Sequence, residues 1–249
     1  MAGHVRTCFL ARMKTVLHKA ETRGHANHGW LDSHHTFSFA GYHNPERVHF
    51  GALRVLNDDI VQPGMGFGTH PHDNMEIVSI PLKGDLAHQD SEGNGGIIKK
   101  NDVQIMSAGT GIFHSEKNPN QDELVNFLQI WVFPAKRDIA PRYEQKTFLP
   151  ESRHNQLQTV VSPEKGEGVW INQNAWFSLG SLGPGFETTY RMRGKKSGVY
   201  AFIIEGSVEM AGHVLGRRDG LGIWETEEFK LRSAVQSEVL LMEIPMNPS

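Results

Sequence analysis

Gly64-Met-Gly-Phe-Gly-Thr-His70-Pro-His72-Asp-Asn-Met-Glu76 and Ser107-Ala-Gly109-Thr-Gly111-Ile-Phe-His114-Ser-Glu116-Lys-Asn118 are the two stretches on which the reading of this chain turns. Side chains alternate faces along a strand, so His70 and His72 point one way, and His114 and Glu116 share a face in their turn. If the two strands face each other, three imidazoles and a carboxylate converge. Such a set suits a divalent first-row metal. With 14 His in 249 residues, chance alone supplies about one His-x-His pair, so the pair by itself carries little weight. The setting adds to it. Both stretches are rich in glycine and lie beside the apolar runs Ile77 to Leu82 and Phe127 to Phe133.

The first stretch resembles the first cupin motif, with Gly64, His70, His72 and Glu76 in place and Gly84 one residue late. Gly111, His114 and Asn118 resemble the second cupin motif, whose usual proline is missing. The wording is nearer still to the pirin family. Phe67-Gly-Thr-His-Pro-His72, His88-x-Asp90, Ala108-Gly-Thr-Gly111 and His114-Ser-Glu116 are similar to pirin signatures. So are Trp30, Thr36-Phe-Ser-Phe39, Leu53-Arg-Val55 and Pro141-Arg-Tyr-Glu-Gln-Lys146. The resemblance spans about Gly29 to Pro245 and points to the bacterial pirin-like proteins described as quercetin 2,3-dioxygenases.

That resemblance implies an all-β bicupin of two jelly-roll barrels and one metal, with iron(II) preferred over nickel, manganese, cobalt, copper or zinc. The implied ligands are His70, His72, His114 and Glu116. In ordinary cupins the motif glutamate, here Glu76, is a ligand; in pirins it is the one two residues after the second-motif histidine, here Glu116. The implied reaction is oxidative ring cleavage of a flavonol such as quercetin. The 3-hydroxyl loses its proton to a base, dioxygen adds across the central ring, and the ring opens with loss of carbon monoxide. Glu116 is the first candidate for that base and Glu76 the second. Phe37, Phe39, Phe67, Met106, Phe113 and Trp131 are candidates for an apolar pocket wall. Similarity to animal pirins implies the alternative: an iron-dependent regulatory protein that binds a protein partner without turnover.

Composition agrees with a folded chain long enough to bury a real core. The chain is 38% hydrophobic, with a net charge of −3 and one cysteine, Cys8. No basic field is available to hold nucleic acid, and no apolar run reaches the roughly 20 residues of a membrane helix. One cysteine excludes an internal disulfide framework and fits a reducing compartment, so a cytoplasmic location is expected; the chain is also expected to be a monomer. Residues 1–12 read as a disordered extension before Met13. Residues 13–140 read as the metal-bearing barrel. Residues 141–249 read as a degenerate second barrel without metal, since Val199 to Gly206 parallels Met75 to Gly84 but brings no His-x-His.

Smaller expectations follow from local chemistry. Glu21 to His28 reads as loop and Asn57-Asp58-Asp59 as a solvated turn. Gly84 to Gly96 reads as a hairpin carrying His88, which is placed as structural or near the cavity wall. His34 and His35, being adjacent on a strand, face opposite ways, so at most one looks inward.

Overall fold

The chain is all-β. The computed structural model describes residues 13–247, and the expected N-terminal extension lies outside them. Two short 3₁₀ turns, Ala20–Thr22 and Pro150–Arg153, are the helical elements among the described residues. None is long and apolar enough to cross a membrane.

Four antiparallel-dominated sheets form two cupin-type units. In the N-terminal unit a seven-stranded sheet runs Arg142–Thr147, Asp102–Ser107, Glu76–Lys83, Val125–Val132, Leu53–Val61, Leu31–His35, Gly24–Asn27 from edge to edge. A four-stranded sheet, Gly66–His72, Ile112–Lys117, Leu86–Asp90, Gly95–Ile98, faces it. The C-terminal unit repeats the plan. Its large sheet is Lys14–His18, Gly220–Trp224, Ser197–Glu205, Ser237–Pro245, Trp176–Leu182, Leu157–Ser162, Val169–Trp170. Its small sheet is Glu187–Arg191, Glu228–Ser233, Val208–Met210, His213–Leu215.

The cores follow from strand parity. Along Val125–Val132, Leu128, Ile130 and Val132 turn to one face, where they pack with Phe177, Phe202, Leu240 and Met242 of the C-terminal sheet. Phe127 turns to the other face and packs with Leu31, Val61, Leu86 and Ile98, tying the large N-terminal sheet to its small one. The large sheets of the two halves therefore lie back to back over the largest shared core. The first and last strands of the units are exchanged: Lys14–His18 pairs with Gly220–Trp224, and Arg142–Thr147 pairs with Asp102–Ser107. This exchange crosses the boundary expected near residue 140.

Two local expectations are corrected. Residues 21–28 are not simply loop, since Gly24–Asn27 pairs as an edge strand with Leu31–His35. Asn57-Asp58-Asp59 is not a solvated turn but the middle of the buried strand Leu53–Val61. Local polarity suggests water as the partner of these groups; tertiary structure supplies protein partners instead. Ser33 Oγ donates to Asp59 Oδ1. Asp58 Oδ2 lies 2.9 Å from Arg218 Nε and 3.5 Å from Arg23 Nη1. Arg218 also donates through Nη1 to the Ile204 carbonyl at 2.7 Å, so this ion pair joins the two halves.

Removing one partner of such a buried pair leaves an uncompensated charge. Arg218→Ala should lower unfolding free energy in urea by about 3 kcal/mol, and adding Asp58→Asn should recover part of the loss. Equal stabilities of wild type and Arg218→Ala would refute this account of the junction.

Candidate metal centre

Strand pairing brings the two decisive stretches together. Gly66–His72 runs antiparallel to Ile112–Lys117, with His70 opposite His114 and His72 opposite Ile112. Pro71 is tolerated there because Gly66–His72 is a sheet edge. The register shifts between His114 and Glu116, which leaves Glu116 opposite Phe67. At this bulge the backbones approach closely: a Cβ on Gly66 would stand 2.3 Å from the Glu116 carbonyl oxygen, so only glycine fits.

The result is a histidine trio. Ring centroids are 4.4 Å apart for His70 and His114, 4.9 Å for His72 and His114, and 4.9 Å for His70 and His72. One ring nitrogen from each lies within 4.8 Å of the others. A second trio, His88, His114 and Glu116, meets the same spacing and shares His114 with the first.

The donor set fits a metal. His114 is buried, and neither of its ring nitrogens has a hydrogen-bond partner, a costly state unless an electron-pair acceptor is supplied. Burial, with His70, His72 and His88 nearby, pulls its pKa down to about 2. Burial and His70 pull His72 down to about 4. Both are thus neutral, the form a metal binds, throughout the physiological range. His70 donates from Nδ1 to the Gly68 carbonyl at 2.8 Å, which leaves Nε2 as its free donor. Glu116 is buried and raised above the usual carboxylate range by desolvation. Gln129 Nε2 lies 2.6 Å from its Oε2, and Ser79 Oγ lies 3.1 Å from its Oε1.

Glu76 is elsewhere. On Glu76–Lys83 it shares a face with Val78 and Ile80, which pack toward the C-terminal sheet, whereas Ser79 points to the metal side. Its Oε2 accepts from Ser107 Oγ at 2.8 Å and from the Asn172 backbone N–H at 3.1 Å. The expectation of Glu76 as a second candidate base is therefore corrected. Parity turns its carboxylate away from the cavity, into the junction between the halves.

A cavity of about 800 Å³ opens beside the trio, reached by His70, His72 and Glu116. Of the six apolar residues expected to line it, Phe39, Phe67 and Trp131 do so. Trp131 meets His72 edge-on at 4.9 Å and Phe39 at 5.3 Å. Phe37 and Met106 are core instead, and Phe113, opposite in parity to His114, is exposed.

Comparison with known proteins gives the lineage. Residues 16–132 match the Pirin family, and residues 159–244 match the quercetinase C-terminal cupin domain. A protein of Escherichia coli K12 named quercetin 2,3-dioxygenase is 42% identical over 230 residues, covering 92% of this chain and 98% of that one. The chain belongs to the pirin family. A pirin-like protein of Caulobacter vibrioides is 37% identical over 222 residues, covering 88% and 95% of the two chains. The crystal structure of the Escherichia coli pirin YhhW in complex with nickel(II) superposes with a TM-score of 0.88 at 41% identity, covering 93% of this chain and 99% of that one.

Several residues of this pirin's site are not foreseen from its sequence. Asn57, Asp59, Gln129, Ser33 and His35 form a polar wall across three neighbouring strands, with His35 opposite Asn57 and Asn57 opposite Gln129. Asp59 is pushed up to about 7 by burial, against the opposing pull of the Ser33 hydroxyl. The signal was an alternation: Val55, Asn57, Asp59 and Val61 share parity, as do Phe127, Gln129 and Trp131. His88 is also closer to the metal side than expected, and its Nε2 lies 3.4 Å from Asp90 Oδ2.

Glu76 offers a test by titration. Burial raises its pKa from 4.5 to about 7, so the stability contributed by its protonated form is complete below 4.5 and lost as pH rises through 7. Glu76→Gln stays neutral. Its stability relative to wild type should improve by about 1–3 kcal/mol between pH 5 and pH 8, read from urea melts. A pH-independent difference would refute the assignment.

Proposed function

We propose that His70, His72, His114 and Glu116 hold one divalent metal, and that the chain is a dioxygenase that opens the central ring of a flavonol such as quercetin. The observation that carries this reading is the opening of the histidine trio onto a cavity of about 800 Å³ with aromatic walls. Such a space suits a flat aromatic molecule. The names of the Escherichia coli relatives support the substrate, and the nickel(II) complex of YhhW supports a metal in this fold. Iron(II) remains the preferred ion on the chemistry of a mixed histidine and carboxylate set.

When bound, the metal would supply Lewis acidity toward the flavonol 3-hydroxyl and a template for the reactants. The chain's own residues do the rest. Trp131, Phe39 and Phe67 would clamp the aromatic plane and exclude water. Glu116 is the nearest carboxylate able to take the hydroxyl proton, and Gln129 and Ser79 set its orientation. Asp59 takes the place of Glu76 as the second carboxyl facing the cavity. The C-terminal unit buttresses the sheet from which Gln129 and Ser79 project.

Oxygen consumption by the iron-loaded protein with quercetin tests the proposal, beside His72→Ala. Uptake should require quercetin, release carbon monoxide, and fall by about 100-fold or more in the variant. Quercetin-independent or absent uptake with metal demonstrably bound would overturn the assignment in favour of the partner-binding protein.

A further inference from the structure

On the strand pair that builds the pocket's wall, with His25 at the pocket's edge and Asp32 and His34 beyond it, another donor cluster stands. Gly24–Asn27 and Leu31–His35 pair so that His25 is opposite His34 and Asn27 opposite Asp32. Directly opposed residues share a face, and Asp32 and His34 are two apart on one strand. All four side chains therefore project together, while Ser33 and His35 turn inward to the cavity. This resolves the adjacent pair His34-His35: one looks into the pocket and the other onto this outer cluster.

The geometry is close to that of a bound cation. His25 Nε2 is 2.9 Å and His34 Nδ1 3.5 Å from the same oxygen, Asp32 Oδ1. Ligand atoms around a tetrahedral zinc with bonds of about 2.0–2.1 Å stand about 3.3 Å apart. The imidazoles stack, with centroids 4.5 Å apart and planes inclined by 20°. Asn27 Nδ2, 3.2 Å from Asp32 Oδ2, occupies the second carboxylate oxygen and aims the first at the rings.

We propose that His25, Asp32 and His34 form a second divalent-metal site, independent of the His70, His72, His114 centre and open to water at its remaining position. Two imidazoles and one carboxylate select borderline ions of the zinc, nickel and copper class over calcium or magnesium. Bridging the two strands there would pin the edge strand Gly24–Asn27, whose Ala26 lines the pocket, against its neighbour. The site thus links metal supply to the rigidity of the pocket wall.

Equilibrium dialysis of the tag-free, chelator-stripped full chain against micromolar zinc chloride tests this, with zinc counted per chain. Wild type should hold two equivalents. Asp32→Asn and His34→Ala should each hold one, and His72→Ala should lose the other one. Cobalt substitution adds a spectroscopic readout: wild type should show two sets of d–d bands, and Asp32→Asn one. Asp32→Asn is isosteric on a solvent-facing side chain, and its far-ultraviolet circular dichroism checks that it folds. Wild type with one equivalent, or Asp32→Asn and His34→Ala still holding two, would overturn the site and leave a His25–Asp32 hydrogen bond only. Loss confined to His72→Ala would leave the first centre standing and remove this one.

Discussion

Back-to-back packing of the two seven-stranded sheets is the constraint on which the rest of this pirin depends. It makes one face of the N-terminal sheet dry: Leu56, Val78, Ile80, Leu128 and Ile130 are committed to the inter-sheet core. Because side chains alternate, every intervening position must face the cavity side. That face holds Ser79, Gln129, Asn57 and Asp59, so the polar groups that grip Glu116 are placed by the same rule that fills the core. A one-residue slip of Leu53–Val61 would put Asp59 into the core and Leu56 on the site.

The site is built against its own stability. His114 keeps two unpartnered nitrogens in a buried position, and Glu116 is desolvated. Each group is unfavourable in isolation, by an amount that a metal ion would reverse. The hydrogen bonds from Gln129 and the Gly68 carbonyl's hold on His70 orient the donors in advance, which reduces the ordering required on binding. Large apolar burial in the core shared by the two halves, and in the cores within each unit, offsets these costs elsewhere in the molecule.

The same sheet also joins the halves. Arg218 reaches Asp58 across the junction, and Glu76 caps the Asn172 backbone from the other side. With the exchanged strands Lys14–His18 and Arg142–Thr147, these contacts make the C-terminal unit part of the support for the site.

Much of this was legible in the sequence. The spacing of His70, His72 and His114, the short glycine-punctuated strands and the pirin wording point to the fold and to the trio, because ligand spacing and strand period are local properties. The pirin wording favours Glu116 over Glu76, and tertiary structure supplies the physical reason. Both fit a motif, and only the packing of Glu76–Lys83 against the C-terminal sheet says which face is buried. It alone turned Asn57-Asp58-Asp59 from an apparent turn into a strand, since Ser33, Arg218 and Arg23 are distant in sequence. It alone brought His25 beside His34, because cross-strand register is a property of the pairing and not of either strand. What the chain determines by itself is which side chains share a face; which of those faces meets water, core or metal is decided when the sheets pack.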